Sequence, residues 1–312
     1  MNGKSYSGRY RPSSYRRKRI PPVLIFILFI VVLLVAAFLI IGNLLNDKTE
    51  EAGKPASTSD GDLPQSKPTP TSVICQVLDI EGEASSQTNN NLAALAQRGA
   101  AAVSVKVNGS DSKILYDSDV AKAFGFQSGG FIEMSTIVSR AQSRGIYVSA
   151  YFKLGFMSEK NNDVRAAKLG YEAALVGEMC AAGVGDVMIY APDATSENYV
   201  ELVRLANNVK AVMPNAKIGI ALKSDIFSSQ NAAVVIDALF EVYDIIGIDL
   251  SDAKAEDAEE YLDGALGKNL YYVLRYNARV IVPSFEDKET ASAIEAVLAS
   301  NSVTNIQYVK TN

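Results

Sequence analysis

The chain has no histidine, no tryptophan and only two cysteines in 312 residues. Without histidine there is no Ser-His-Asp triad, no Cys-His dyad and no imidazole-bound metal. Cys75 and Cys180 are too few for a disulfide scaffold, and each lies among apolar neighbours. Two buried thiols are expected, with a Cys75–Cys180 bridge the alternative outside the cell. Acids are missing from the first 46 residues, where Lys4, Arg9, Arg11, Arg16, Arg17, Lys18 and Arg19 all precede the first carboxylate, Asp47. Setting those seven aside leaves 23 of the 30 Lys/Arg against 35 Asp/Glu in the remainder. So acidic a remainder speaks against nucleic acid as a partner, because phosphate recognition needs clustered Lys/Arg.

What the chain does have is Val23–Leu45, an apolar run without a single charge. A bilayer core ~30 Å thick needs about 20 apolar residues as a helix, so the run is long enough to span it. The Lys/Arg excess before it assigns that side to the cytoplasm and the rest of the chain to the outside. A cleaved signal peptide has a shorter apolar core of ~7–15 residues and a small-residue cleavage site, and Ile40–Leu45 offers no such site. The expected organisation is a basic cytoplasmic tail (1–22), a transmembrane helix (23–45), a disordered linker (46–72) and an extracytoplasmic domain (73–312). The linker is rich in Pro, Ser, Thr and charge and holds too little apolar surface to fold.

From Val73 onward, short β-rich runs alternate with helical patterns. Strands are expected at 73–79, 101–107, 146–152, 186–191, 217–222, 245–250, 279–285 and 305–310, with seven helical segments between them. In Ser196–Met213 the valines at 200, 203, 209 and 212 recur near helical spacing. Near-continuous apolar strands with crossover helices imply a parallel sheet, and eight of them close a (β/α)8 TIM-like barrel. No Gly-rich turn follows the first strand, which disfavours the doubly wound alternative and gives no sign of a dinucleotide or other cofactor. The sequence ends just after the eighth strand, so the final helix is expected to be missing. The segment Asn108–Gly130 is the longest insertion, and a loop of that length is more often functional than decorative.

In such a barrel, reactive groups stand at the C-terminal ends of the strands. Strand one ends in Asp79-Ile80-Glu81, whose two carboxylates alternate onto one face. Strand two presents Ser104, Lys106 and Asn108, and an unpaired buried Lys would be costly, so a carboxylate such as Asp79 is its expected partner. Strand three ends in Tyr151 and Lys153, strand four in Tyr190, strand five in Lys223, and Glu286 follows strand seven. Asp193, Asp252 and Asp287 each precede a predicted helix and read as N-caps. Asp249 belongs to strand six itself, on the face of Gly247, and is the strongest single candidate for a carboxylate in the mouth. Carboxylates at several strand ends without His or Cys suit glycosidic chemistry. No ligand spacing points to a metal.

One stretch carries a family resemblance. From Ala102 to Lys153, Lys106, Tyr116, Asp117, Ser118, Gly145, Ile146, Tyr147, Val148 and Ala150 match a pattern of bacterial glycoside-hydrolase-like proteins related to the alpha-amylase clan of barrels. The chain resembles a divergent member of that family. Ser104 stands where the family has an Asp and Tyr151 where it has an Arg, and Gly185–Pro192 lacks the inner Asp at the clan's nucleophile position. The resemblance implies an envelope protein acting on cell-wall or extracellular polysaccharide. Two forms follow from it: a degenerate barrel that binds the glycan, or a hydrolase using Asp249 with Glu81 or Glu286. In either form Asp79, Lys106, Asn108, Tyr116, Tyr151 and Tyr190 are the expected substrate contacts.

Overall fold

A computed structural model of the chain describes residues 73–109, 113–126, 128–252, 258–285 and 288–310. The basic tail, the apolar run, the linker and Glu286 lie outside the described residues. Among the described residues no helix is long and apolar enough to cross a membrane.

Eight strands form: β1 (Ile74–Leu78), β2 (Ala102–Lys106), β3 (Tyr147–Lys153), β4 (Asp186–Tyr190), β5 (Ile218–Lys223), β6 (Ile245–Asp249), β7 (Arg279–Pro283) and β8 (Ile306–Val309). All pair in parallel, and β8 returns to β1 through Ile74↔Ile306 and Cys75↔Gln307, which closes the barrel. The expected (β/α)8 architecture is therefore present. The connecting helices are α1 (Ser85–Gln97), α2 (Asp119–Ala123), α3 (Met134–Gln142), α4 (Asn162–Ala181), α5 (Val200–Val212), α6 (Ser224–Phe227), α7 (Ala232–Val242), α8 (Ala258–Tyr276) and α9 (Lys288–Ser300). The short helices α2 and α6 were not anticipated by periodicity, since one turn is too little to show any.

Strand alternation sorts side chains into two cores. Outward residues such as Val103, Val105, Val148, Ile220 and Ile248 pack against helix residues Leu92, Ile137, Leu205, Ile236 and Leu266. Inward residues Tyr151, Met188, Ala221, Ile245, Ile281 and Val309 make a smaller cluster inside the barrel. Gly219 and Gly247 leave room there. A Cβ on Gly219 would stand 2.7 Å from the Met188 methyl, and one on Gly247 would stand 3.1 Å from Ala221.

The helix expected within Ser196–Met213 forms as α5, and one local expectation, the Asp193 cap, needs correcting. In α5 the buried stripe is Leu202, Leu205, Ala206 and Val209, while Val200 and Val212 face outward. Leu202, Leu205, Ala206 and Val209 hold the i, i+3, i+4 and i+7 positions, so of the four periodic valines only Val209 is part of the buried stripe. Asp193 does not cap α5, whose N-cap is Tyr199. Asn198 closes the intervening turn by donating to the Asp193 carbonyl at 3.0 Å.

Candidate functional site

The barrel interior has a polar end and a mouth, separated by the apolar cluster. At the polar end, Arg279 opens β7 and donates to both carboxylate oxygens of Asp186 on β4, at 2.8 and 2.9 Å. Its remaining donors reach the Ser149 hydroxyl at 3.1 Å and the side-chain amide oxygen of Asn305 at 3.0 Å. Tyr147 and Ser149 hydroxyls donate to the same carboxylate at 2.7 and 2.5 Å, and Gln307 donates to Ser104 at 2.8 Å. Arg279 and Asp186 are each 1% exposed. Burial alone would raise the Asp186 carboxyl, but the Arg279 guanidinium outweighs it and holds the group below the usual carboxylate range. Beside this network the buried Cys75 is a free thiol, pushed up to about 12 by desolvation. Cys180 is also free, so the two are not bridged.

The mouth is built from the C-terminal residues of the same inward rows, and its charged groups separate into two clusters. On β4 and β6, Asp249 is 4% exposed. Burial raises its carboxyl, opposed by hydrogen bonds from Ser251 and from the Tyr190 hydroxyl. The Ser251 N–H donates to it at 3.1 Å. Tyr190 stacks on Tyr151 with ring centroids 5.9 Å apart and planes 18° apart. Burial, then the Asp249 charge, pushes the hydroxyls of both tyrosines well above their ordinary value. Tyr190 therefore stays a donor to Asp249 at any physiological pH.

On β1, β2 and β8 the second cluster pairs opposite charges. Lys310 bridges Asp79, and the Glu81 N–H donates to Asp79 at 3.0 Å. Burial would raise the Asp79 carboxyl, but the Lys310 ammonium and that N–H prevail and lower it. Lys106 is lowered by desolvation, against the opposing charges of Glu81 and Asp79. The expected Lys106–Asp79 proximity is thus present, with Lys310 as the closer cation. Glu81 is exposed at the rim.

The other sequence candidates fall elsewhere. Asn108 is 5% exposed and clamps β3, donating to the Lys153 carbonyl at 2.7 Å and accepting from the Lys153 N–H at 2.9 Å. Its amide imitates a strand backbone, so it extends the sheet. Tyr116, expected near the mouth, is a core residue at 1% exposure, and its hydroxyl donates to Glu178 of α4 at 2.7 Å. Glu178 also accepts from the Ser118 hydroxyl and the backbone N–H groups of Asp119 and Val120, which anchors the long insertion to α4. The insertion is therefore held by a cap, with two of its three family-matched residues, Tyr116 and Ser118, serving that anchor. Tyr151 is 7% exposed and backs Tyr190, so its own face is not open.

Sequence reasoning missed the polar end and a second buried acid. Glu172 of α4 accepts from the Gly155 N–H at 2.9 Å, just beyond Lys153, and its Oε2 has no partner. Burial pushes its carboxyl up to about 7. The polar end was signalled by Arg and Asp opening otherwise apolar strands, in phase with Ser104, Ser149 and Gln307. Among the described residues no group of three or more Cys, Asp or Glu is placed to hold a metal ion.

No family model and no curated sequence matches the chain. Solved structures do. The cellulose synthase subunit Z of Clostridioides difficile shares 10% identity over 77% of this chain and 92% of its own, at a TM-score of 0.50. A sugar phosphate isomerase/epimerase from Parabacteroides distasonis shares 11% over 78% and 91%, at 0.44. A psychrophilic family 10 endo-beta-1,4-xylanase shares 10% over 76% and 86%, at 0.47. Identities this low show a shared barrel fold and nothing finer.

Proposed function

We propose that the chain is a membrane-anchored, extracytoplasmic, glycoside-hydrolase-like barrel whose mouth binds a cell-wall or extracellular polysaccharide without cleaving it. One observation carries this reading: among the described residues, Asp249 stands inside the mouth as a buried carboxylate without a countercharge, while Asp79 is neutralised by Lys310. Retaining hydrolysis needs two free carboxyls about 5–5.5 Å apart. Asp249 and the Tyr190 hydroxyl instead offer the acceptor and donor that fix a sugar hydroxyl, and Lys153 and Lys223 stand exposed at the ends of their strands. The charge-free run Val23–Leu45 behind seven basic residues supports the anchor and its orientation.

The test uses the full-length chain in a detergent without a sugar headgroup, mixed with insoluble cell-wall polysaccharide. Binding predicts retention that falls several-fold in Asp249→Asn and Tyr190→Ala, with no reducing ends released. Extraction of the native protein from membranes by alkaline carbonate would remove the anchor from this reading.

The second reading is a hydrolase in which Asp249 is the acid and Glu286 or Glu81 the partner carboxylate. The burial that raises Asp249 favours it, because a general acid must stay protonated near neutral pH. Release of reducing ends that stops in Asp249→Asn would establish this reading in place of the first.

A further inference from the structure

Two inward rows of the barrel end in ammonium groups beside the stacked tyrosines of the mouth. On β2, Lys106 stands two residues after Ser104, which accepts from Gln307 inside the barrel, so it shares the inward face. On β3, Lys153 stands two residues after Tyr151 of the inner cluster and shares that face too. The strand register sets Lys106 level with Tyr151 and Lys153 level with Tyr190. Each tyrosine of the stack therefore has a lysine beside it, one strand spacing of about 4.8 Å away across the sheet. Lys153 is exposed, and Lys106 and Tyr190 are half-buried.

The charges around these lysines leave room for an anion. Burial lowers Lys106 most, Glu81 and Asp79 oppose that, and the ammoniums of Lys310 and Lys153 add to it. Lys106 thus feels two like charges, and one of its two opposing carboxylates, Asp79, already bridges Lys310. Among the described residues no carboxylate forms an ion pair with Lys153. Across the mouth, Asp249 is buried and tied to Ser251 and Tyr190, and Asp252 accepts from Tyr261. An anion over β2 and β3 would offset the repulsion between the ammoniums there.

We propose that the mouth takes an acidic glycan, its ring resting on Tyr190 and its carboxylate or phosphate held by Lys153 and Lys106. This rests on the glycan-binding reading of the mouth and names the chemical class of the sugar. Both anions accept charge-assisted hydrogen bonds from an ammonium. The attraction has to be local, because acids outnumber Lys/Arg in the chain beyond its basic start and repel a polyanion elsewhere.

Lys153→Gln leaves the fold in place, since only the backbone of Lys153 enters the Asn108 clamp. Calorimetric titration of the full-length chain, in a detergent without a sugar headgroup, uses three probes. A β-1,4-glucuronate trimer and cellotriose differ only in bearing a carboxylate or a hydroxymethyl on each ring, and a glycerol phosphate oligomer supplies the phosphate. One or both anionic probes should bind about tenfold more tightly than cellotriose, with an affinity that falls as salt rises. Which of them binds tells carboxylate from phosphate. Lys153→Gln should erase the preference and leave cellotriose binding unchanged, while Lys268→Gln, at an exposed lysine of α8, should change nothing. A preference that survives Lys153→Gln, or falls equally in Lys268→Gln, would overturn the lysine site. Cellotriose bound as tightly as both anions would overturn the acidic class, and its loss in Tyr190→Ala would leave the mouth reading standing. An anionic preference lost in Lys153→Gln but untouched by Tyr190→Ala and Asp249→Asn would support the lysine contact and overturn the mouth reading. No binding of any probe would overturn both.

Discussion

The two ends of this barrel treat buried charge in opposite ways. At the polar end Asp186 meets a bidentate guanidinium and two hydroxyls, and its carboxyl titrates low. At the mouth end Asp249 and Glu172 are buried with no cation in contact, and both titrate high. The first arrangement holds strands β4 and β7 together across the barrel. The second stores free energy in groups that would be better solvated, the pattern expected where a protein trades stability for a site. The contrast teaches that the polar end is scaffold, whereas the mouth end leaves buried carboxyls without a counterion.

The sharpest way to break the contrast is to unpair the polar end. Asp186→Asn leaves the Arg279 guanidinium buried without its counterion and should cost roughly 3–5 kcal/mol in chemical denaturation. Replacing both residues by leucine should recover much of that loss, because a buried pair is often no better than apolar residues of similar volume. If Asp186→Asn costs no more than a surface substitution, the scaffold role fails. Its pH dependence has a definite sign. A carboxylate lowered by folding contributes stability that is present above its unfolded pKa of about 3.9 and is lost as pH falls through the folded value.

Glu172 should behave inversely. Its carboxyl lies at about 7 in the folded chain against about 4.3 when unfolded, so the native state binds the extra proton between these values. Stability contributed by this group therefore falls as pH rises from about 4.3 to 7, by roughly 2–3 kcal/mol. Denaturation across that window should show the decline in the native protein and its absence in Glu172→Gln. Asp249→Asn is a smaller step in the same direction, stabilising the chain at pH 7 by on the order of 1 kcal/mol. That gain should vanish under acid conditions where the native carboxyl is protonated, and a loss of stability at pH 7 would show Asp249 to be structural. Smallest of all is Lys310→Ala. It breaks a solvent-exposed pair with Asp79 and should cost less than about 1 kcal/mol, shrinking further in high salt.

Much of the fold was legible before any coordinates. Runs such as DVMIYA and IIGIDL announce strands by length and β-branching, and eight of them with helices between leave few alternatives to a closed barrel. Asp249 was legible as well, because it ends a strand in phase with Gly247. Tyr116 was not. Its place in a family-like motif suggested the mouth, whereas Glu178, 62 residues away, draws it into the outer core. The valine spacing of α5 correctly announced a helix, but a weak periodicity cannot say which of two overlapping stripes faces the sheet.

The sequence alone determines the charge-free run Val23–Leu45, the acidic balance after it, the absence of histidine chemistry and the number and order of the strands. These depend on composition and on contacts between near neighbours. Only the tertiary structure decides that Arg279 meets Asp186 across 93 residues and that Lys310 reaches Asp79 across 231. Closing the barrel brings the first and last strands together, and a pairing made by closure leaves no periodic trace in the chain.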